Sequence, residues 1–131
     1  MATFTELRDM ISQELSDGWV TVPLTKRDIE ERSSEHVKFL ITLYYNDKTL
    51  ETTYYTTGNV PDAEHILGSL VTDARAVYNS NFPEFCSEFG YDSDSMKAFK
   101  IFKACKKQNK KLLNFLGEEL FKQFMECEMD W

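Results

Sequence analysis

Apolar and aromatic residues occupy every second position from 37 to 45, and this alternation predicts the clearest strand of the chain. Asn46 and Asp47 follow it, and both residue types tolerate the left-handed backbone of a tight hairpin turn. A turn of two or four residues keeps the apolar side chains of the return strand, 48–57, on the same face. The hairpin should therefore be half-buried, with an outer face rich in tyrosine and threonine.

Apolar residues three and four positions apart predict five helices in the rest of the chain. The first should begin after Thr3, which can form a capping-box pair with Glu6, and should end at Gly18. Its apolar face would hold Met10 and Leu15. The other four are a helix opened by Pro61-Asp62, a short helix over 81–90 with Phe82, Phe85 and Phe89 as core candidates, a long helix begun by Asp92, Ser93 and Asp94 and ended by Gly117, and a helix over 118–127.

The remaining segments complete an α+β fold. Residues 19–24 favour a strand, and Pro23, which has no amide to donate, places that strand at a sheet edge. The charged segment 26–35 is predicted as a loop with one helical turn or none. We therefore expect one domain over 1–131, in which a small antiparallel sheet (the hairpin 37–57 plus an edge strand) packs against four to five helices.

Several function classes have no support in the chain. No apolar run approaches the ~20 residues of a membrane span, and the first ten residues do not resemble a signal peptide. Cys86, Cys105 and Cys127 are an odd number at long spacings, which indicates buried thiols in a reducing cytoplasm. His36 and His65 have no catalytic partner in a recognisable motif. We expect no enzyme activity, no metal, no cofactor and no membrane contact.

The sharpest feature is a lysine ridge along the long helix. It comprises Lys97, Lys100, Lys103, Lys106, Lys107, Lys110 and Lys111, with no acidic residue among them. Residues 1–94 hold 7 basic and 17 acidic residues, whereas residues 95–131 hold 8 basic and 5 acidic ones, in a chain of net charge −7. The ridge can grip a phosphate backbone or an acidic protein groove, or it can be a solvated helix face.

Two further surfaces are candidates for contact with a partner. Carboxylates on a rigid surface can imitate phosphates, or they can be ordinary acidic surface. They occur in the loop at Asp28, Glu30, Glu31 and Glu35, on the first helix at Glu6, Asp9, Glu14 and Asp17, and near the end at Glu126, Glu128 and Asp130. Tyr44, Tyr55 and Trp131 can anchor an interface, unless another helix of the domain covers them.

One segment resembles a known family. Residues 85–95, Phe-Cys-Ser-Glu-Phe-Gly-Tyr-Asp-Ser-Asp-Ser, precede Ala98, Phe102 and Ala104-Cys105. This segment resembles a widespread family of small phage and prophage proteins with a C-x-x-[FY]-G-Y-D-x-D-S motif, and the resemblance covers about residues 37–117. The family usually carries Arg where this chain has Met96, so one basic position is missing. The motif joins a helix stop to a helix start and is not a catalytic signature.

The resemblance implies a phage accessory protein, and such proteins commonly bind a host machine. By that analogy we expect an anti-CRISPR: a non-enzymatic inhibitor of bacterial immunity in the host cytoplasm. It would bind a Cas effector or surveillance complex and block nucleic-acid binding or activation. The alternative is a phage nucleic-acid-associated protein that uses the lysine-rich helix 97–111. The expected contact residues are Asp28, Glu30, Glu31, Glu35, Lys100, Lys103, Lys107, Lys110, Tyr44 and Tyr55.

Overall fold

The computed structural model describes residues 2–130 and confirms the α+β fold. Three strands and six helices occur in this part of the chain, one helix more than the upper number expected. No helix among these residues is long and apolar enough to cross a membrane. The elements are α1 Phe4–Ile11, β1 Leu15–Val22, α2 Lys26–Glu31, β2 Val37–Tyr45, β3 Lys48–Thr56, α3 Ala63–Val77, α4 Phe82–Phe89, α5 Met96–Leu116 and α6 Glu118–Glu126.

The sheet is antiparallel with the strand order β1-β2-β3. Asn46 takes a left-handed backbone conformation, with φ of 59°, in a two-residue turn that pairs Leu43 with Leu50. Both leucines are buried on the face that the helices cover. The hairpin and the edge position of β1 are therefore confirmed, and β1 pairs with β2 along its whole length, from Leu15 opposite Tyr45 onward.

The first helix is shorter than its apolar pattern predicted. It ends at Ile11, and Gly18 lies inside β1 rather than at a helix stop. Leu15 is buried as a strand residue, while Met10 is 70% exposed. The helical spacing continues through Leu15 by coincidence. Pairing with the free edge of β2 satisfies the backbone groups of β1, and this outweighs the gain from another turn of helix.

Segment 26–35 holds a helix of six residues, α2, where a loop with at most one helical turn was predicted. The Thr25 hydroxyl accepts a hydrogen bond from the Asp28 amide, and the Asp28 carboxylate accepts one from the Thr25 amide. This reciprocal capping box satisfies two amides that would otherwise be unpaired at the start of α2. The helix carries no buried residue, so the apolar pattern could not reveal it.

The main core lies between the sheet and helices α1, α3, α5 and α6. Phe4 of α1 packs against Phe124 of α6, with ring centroids 5.7 Å apart. The C-terminal half of α5 contributes Leu112, Phe115 and Leu116 to the same core. This half of the helix is held rigidly, and it fixes the direction in which the rest of α5 points.

The segment that carries the family motif forms the elbow between α4 and α5. Gly90 ends α4 with φ of 73°, and the ring of Phe85 stacks on that of Tyr91 at 5.6 Å. Phe89 is 46% exposed, so its expected place in the core was wrong. The cap of α5 was also misplaced, because the Ser95 hydroxyl, rather than the Asp92 or Asp94 side chain, accepts the hydrogen bond from the helix amide of Ala98.

A smaller correction concerns the start of α3. Asp62 is the N-cap, and its carboxylate accepts a hydrogen bond from the His65 amide at 2.9 Å. The helix therefore starts after Asp62, and Pro61, which was expected to open it together with Asp62, precedes the cap.

Candidate functional site

The lysine ridge occupies the solvent face of α5. Six of its seven lysines are exposed, and the part from Lys97 to Lys110 extends for about 20 Å at the 1.5 Å rise of an α-helix. Lys106 is the exception, since it is half-buried and donates a hydrogen bond of 2.9 Å to the Val77 carbonyl at the end of α3. Lys106 therefore holds α5 against α3, and the remaining six lysines are available to a partner.

The exposed lysines carry unneutralised charge. Among residues 2–130, every ion pair within 4.0 Å is made by other basic groups: Arg8, Arg27 and Lys38. Lys103, Lys106, Lys107 and Lys110 line a shallow groove of about 260 Å³. A second groove lies beside it, between α5 and the start of α4. The ridge lysines therefore border two open depressions of the surface, the second of which is also lined by Glu84.

An exposed aromatic ring lies within this surface. Phe99 is 38% exposed, and the Lys103 ammonium lies 5.5 Å from the centre of its ring. Phe82 of α4 packs edge-to-face against Phe99, with centroids 5.2 Å apart. Phe99 was not among the contact residues expected from the sequence, because it belongs to neither the apolar stripe nor the lysines of α5. Its place between Lys97 and Lys100 was the available signal.

The loop candidate Asp28 has an internal role. Its carboxylate accepts hydrogen bonds from the Tyr55 hydroxyl at 2.6 Å and from the Lys38 ammonium at 3.3 Å. With the hydrogen bond from the Thr25 amide, these bonds hold the pKa of Asp28 well below its usual range. Asp28 thus fastens α2 to the outer face of the sheet.

Tyr55 is therefore less available than the strand pattern suggested. Its hydroxyl is donated to Asp28, and the Arg32 guanidinium lies 3.8 Å from its ring centre. The hydrogen bond to Asp28 and burial both raise the pKa of Tyr55. Tyr44 is 44% exposed and remains open to a partner, whereas Trp131 lies outside the described residues.

The charges of segment 26–38 are balanced. Glu30, Glu31 and Glu35 are exposed, but Glu31 forms an ion pair of 2.9 Å with Arg27. The segment holds four carboxylates and four basic side chains, namely Lys26, Arg27, Arg32 and Lys38, and two of the basic side chains form ion pairs with carboxylates of the segment. The structure thus gives this segment little of the net negative charge that imitation of phosphate requires.

An acidic surface is instead assembled by the packing of α1 against α6. The Phe4 amide donates to the Glu128 carbonyl, and the Asp130 carboxylate accepts from both the amide and the hydroxyl of Thr5. These bonds from Thr5 lower the pKa of Asp130. At the opposite ends of the two helices, where α1 stops and α6 starts, Glu14, Glu118 and Glu119 line an open groove of about 480 Å³. Sequence reasoning did not group these three glutamates, because only tertiary packing brings residues 14 and 118 together.

The cysteines and histidines form no cluster. Cys86 and Cys127 are buried, and burial raises the pKa of the Cys105 and Cys127 thiols. The His36 ring is hydrogen-bonded to the Ser33 hydroxyl at 2.8 Å. Within residues 2–130, no group of three His, Cys, Asp or Glu side chains could hold a metal ion.

Comparison with protein-family models, with curated proteins and with solved structures found no match to this chain. The candidate surfaces are therefore ranked by their own chemistry. The lysine ridge combines exposure, unneutralised charge and an adjacent aromatic ring. Segment 26–38, by contrast, is charge-balanced, and its Asp28 side chain holds α2 against the sheet.

Proposed function

We propose that this protein is a non-enzymatic nucleic-acid-associated protein that binds phosphates through the lysine ridge of α5. The observation that carries the proposal is the one-sided charge of that helix, which has seven lysines and no acidic residue over Met96–Leu116. Phosphate binding needs clustered cations, and the exposed lysines of α5 supply them on one rigid face.

Folding alone does not account for this arrangement. Seven lysine pairs in α5 are three or four residues apart, and each such like-charged pair destabilises a helix by about 0.2–0.5 kcal/mol. Lys97, in the first turn, also opposes the positive end of the helix dipole. A solvated face gains more from alternating lysine and glutamate. A negatively charged partner would relieve the repulsion, and this supports a binding role.

The experiment measures nucleic-acid affinity by fluorescence anisotropy over a range of salt concentrations. If four to six phosphates are contacted, the logarithm of the affinity should fall with the logarithm of salt with a slope of about −3 to −5 at and above about 0.15 M. The test variant replaces four ridge lysines with glutamate and should abolish binding. A matched control variant makes the same change of net charge outside the ridge and should retain most of the binding. The test positions are Lys100, Lys103, Lys107 and Lys110, and the control positions are Lys26, Arg27, Lys48 and Lys122.

Circular dichroism confirms that both variants are folded before their affinities are compared. Equal loss of binding in the two variants would show that only net charge matters and would contradict a role for the ridge. Binding that does not weaken with salt would contradict phosphate recognition altogether.

A second proposal is an inhibitor of bacterial immunity, an anti-CRISPR that binds a Cas effector or surveillance complex. The groove lined by Glu14, Glu118 and Glu119 favours it, because clustered carboxylates can occupy a basic nucleic-acid channel. In a pull-down from nuclease-treated lysate, mass spectrometry should recover one Cas effector in near-equal amounts. Changing the three glutamates to lysine should remove that effector. Recovery that persists in this variant would exclude the acidic groove as the contact.

A further inference from the structure

We infer that the ridge binds single-stranded nucleic acid by stacking a base on the ring of Phe99 while Lys100 and Lys103 hold the adjacent phosphates. This inference rests on the proposed nucleic-acid function and names its substrate class. Single strands are gripped where cations along a backbone track are interleaved with exposed aromatic rings. Among the exposed aromatic side chains of residues 2–130, Phe99 is the one that belongs to α5 itself.

The ring of Phe99 is held in place before any ligand arrives. Phe82 packs against it edge-to-face, at 5.2 Å and an interplanar angle of 81°. Phe82 also packs against Phe102 at 5.5 Å, and Phe102 packs against the buried Phe85 at 5.4 Å. A ring fixed by its neighbours loses little conformational freedom when a base stacks on it.

The ring and the cation share one surface. The Lys103 ammonium lies 5.5 Å from the Phe99 ring centre, and no carboxylate lies within 4.0 Å of it among the described residues. Because the ammonium lies over the face of the ring, a base that stacks on this face displaces it, and the phosphate of the same nucleotide can then bind the displaced ammonium. An acidic peptide would satisfy Lys103 but would leave the ring without a stacking partner.

The surrounding charges determine on which side of Phe99 the strand can lie. Glu88, Asp92 and Asp94 are exposed beyond the N-terminal end of α5 and repel phosphates there. Lys107 and Lys110 continue the positive track on the other side of Phe99. The part of the helix from Phe99 to Lys110 is about 17 Å long, the length of about five nucleotides at the 3.4 Å spacing of a stacked strand.

Duplex nucleic acid lacks the group that Phe99 would engage. The faces of its bases are covered by neighbouring base pairs, so the ridge can meet only phosphates there. α5 also contains no arginine, the commonest reader of base edges in the major groove. The lysines should therefore contribute to both ligands, whereas Phe99 should contribute to single strands alone.

The test measures the affinity of the full chain for labelled dT15, rU15 and a 15-base-pair duplex. Phe99→Ala and Phe99→Leu should each weaken single-strand binding about tenfold, since tenfold corresponds to ~1.4 kcal/mol and this lies within the range for the stacking of one base. Phe99→Trp should restore it, and duplex affinity should be unchanged in all three variants. Comparison of dT15 with rU15 identifies DNA or RNA as the preferred strand.

Phe89→Ala is the matched control. Phe89 belongs to the same aromatic cluster, with its ring 5.1 Å from Phe85, and it is exposed to a similar degree. It lies next to Glu88 instead of the lysines, so its removal should leave affinity within about twofold of the unchanged protein. Equal single-strand losses in Phe89→Ala and Phe99→Ala, or no loss in Phe99→Ala, would overturn the stacking inference.

The two proposals fail separately. Lysine-dependent binding of duplex and single strands alike, with no effect of Phe99→Leu, would overturn stacking and leave the phosphate-binding function in place. No salt-sensitive binding of any of the three ligands would overturn both.

Discussion

Replacing Lys107 with glutamate should stabilise the protein and at the same time weaken its binding to nucleic acid. Lys107 is exposed and makes no hydrogen bond or ion pair among residues 2–130. Its neighbours on the same helix face are Lys103, Lys110 and Lys111, at spacings of four, three and four residues. The substitution therefore turns three repulsive pairs into three attractive ones without breaking a structural contact.

The magnitude follows from these three pairs. Each pair on a helix surface is worth about 0.2–0.5 kcal/mol, and a change of sign doubles the difference. In the pair of Lys103 with the new glutamate, the lysine precedes the glutamate, which is the less favourable order, so this pair contributes less stabilisation than the other two. We expect the free energy of unfolding to rise by about 1–2 kcal/mol at low salt, which raises Tm by about 4–8 °C for a chain of this length.

Lys122→Glu is the mirror-image control. Lys122 is an exposed lysine of α6, and its neighbours at the same spacings are Glu118, Glu119 and Glu126. The same substitution, with the same change of net charge, should therefore destabilise the protein by about the same amount. Both effects should nearly vanish in 1 M salt, where the Debye length is about 3 Å.

Urea unfolding followed by circular dichroism measures both stabilities, and anisotropy measures the binding. If both variants shift stability in the same direction, charge pairs along the helix surface do not govern the stability changes. If Lys107→Glu raises stability and leaves binding unchanged, the ridge is a solvated face with no phosphate-binding role.

Four other substitutions test the fold that presents the ridge. In urea unfolding, Gly117→Ala should cost about 2 kcal/mol, because φ of 87° with ψ of 157° is a backbone conformation that residues other than glycine hardly adopt. Gly90→Ala should cost about 1 kcal/mol, because Gly90 lies in the left-handed helical region, which is less strained for other residues. Tyr55→Phe removes a hydrogen bond to Asp28 and should raise the pKa of Asp28, which NMR can measure. The lowered pKa of Asp28 stabilises the folded protein, and this stabilisation is lost as pH falls below about 4. The loss of stability at acid pH should therefore be smaller in Tyr55→Phe. Met10→Ala should change stability by less than about 0.5 kcal/mol, as expected for a side chain that is 70% exposed.

The hairpin was predictable because its determinants are local. Alternation over residues 37–45 fixes which face is buried, and Asn46 supplies the left-handed turn that sets the register. The ridge was equally visible, since lysine spacing in a helix depends on the sequence alone. The end of α1 was not visible, because it depends on a strand pairing with β2, whose residues begin 22 positions after the start of β1.

Tertiary contacts also decided the site residues that sequence reasoning misjudged. Lys106 looks identical to the other ridge lysines in the sequence, but its ammonium donates a hydrogen bond to the Val77 carbonyl at the end of α3. Asp28 looks like one more loop carboxylate, but Tyr55 reaches it from 27 residues away. The Thr25-to-Asp28 spacing was a capping signal in the sequence, and it was overlooked because no apolar run follows it.

Local charge and net charge act on a polyanion at different distances, and this separates ridge binding from the behaviour of an ordinary basic protein. The chain has 15 basic and 22 acidic residues, and α5 holds seven of the former and none of the latter, so the remainder carries −14. At 0.15 M salt the Debye length is about 8 Å, shorter than the ~14 Å radius of gyration of such a domain, and the ridge acts almost alone. Near 0.01 M the Debye length reaches about 30 Å, so the ligand also meets the repulsion of the acidic remainder.

Affinity should therefore rise as salt is lowered and then level off, whereas a uniformly basic protein gains affinity throughout. Neutralising Glu118 and Glu119 as glutamine should move the plateau to lower salt and leave affinity at 0.15 M unchanged; a straight line to the lowest salt in the unchanged protein would contradict this account.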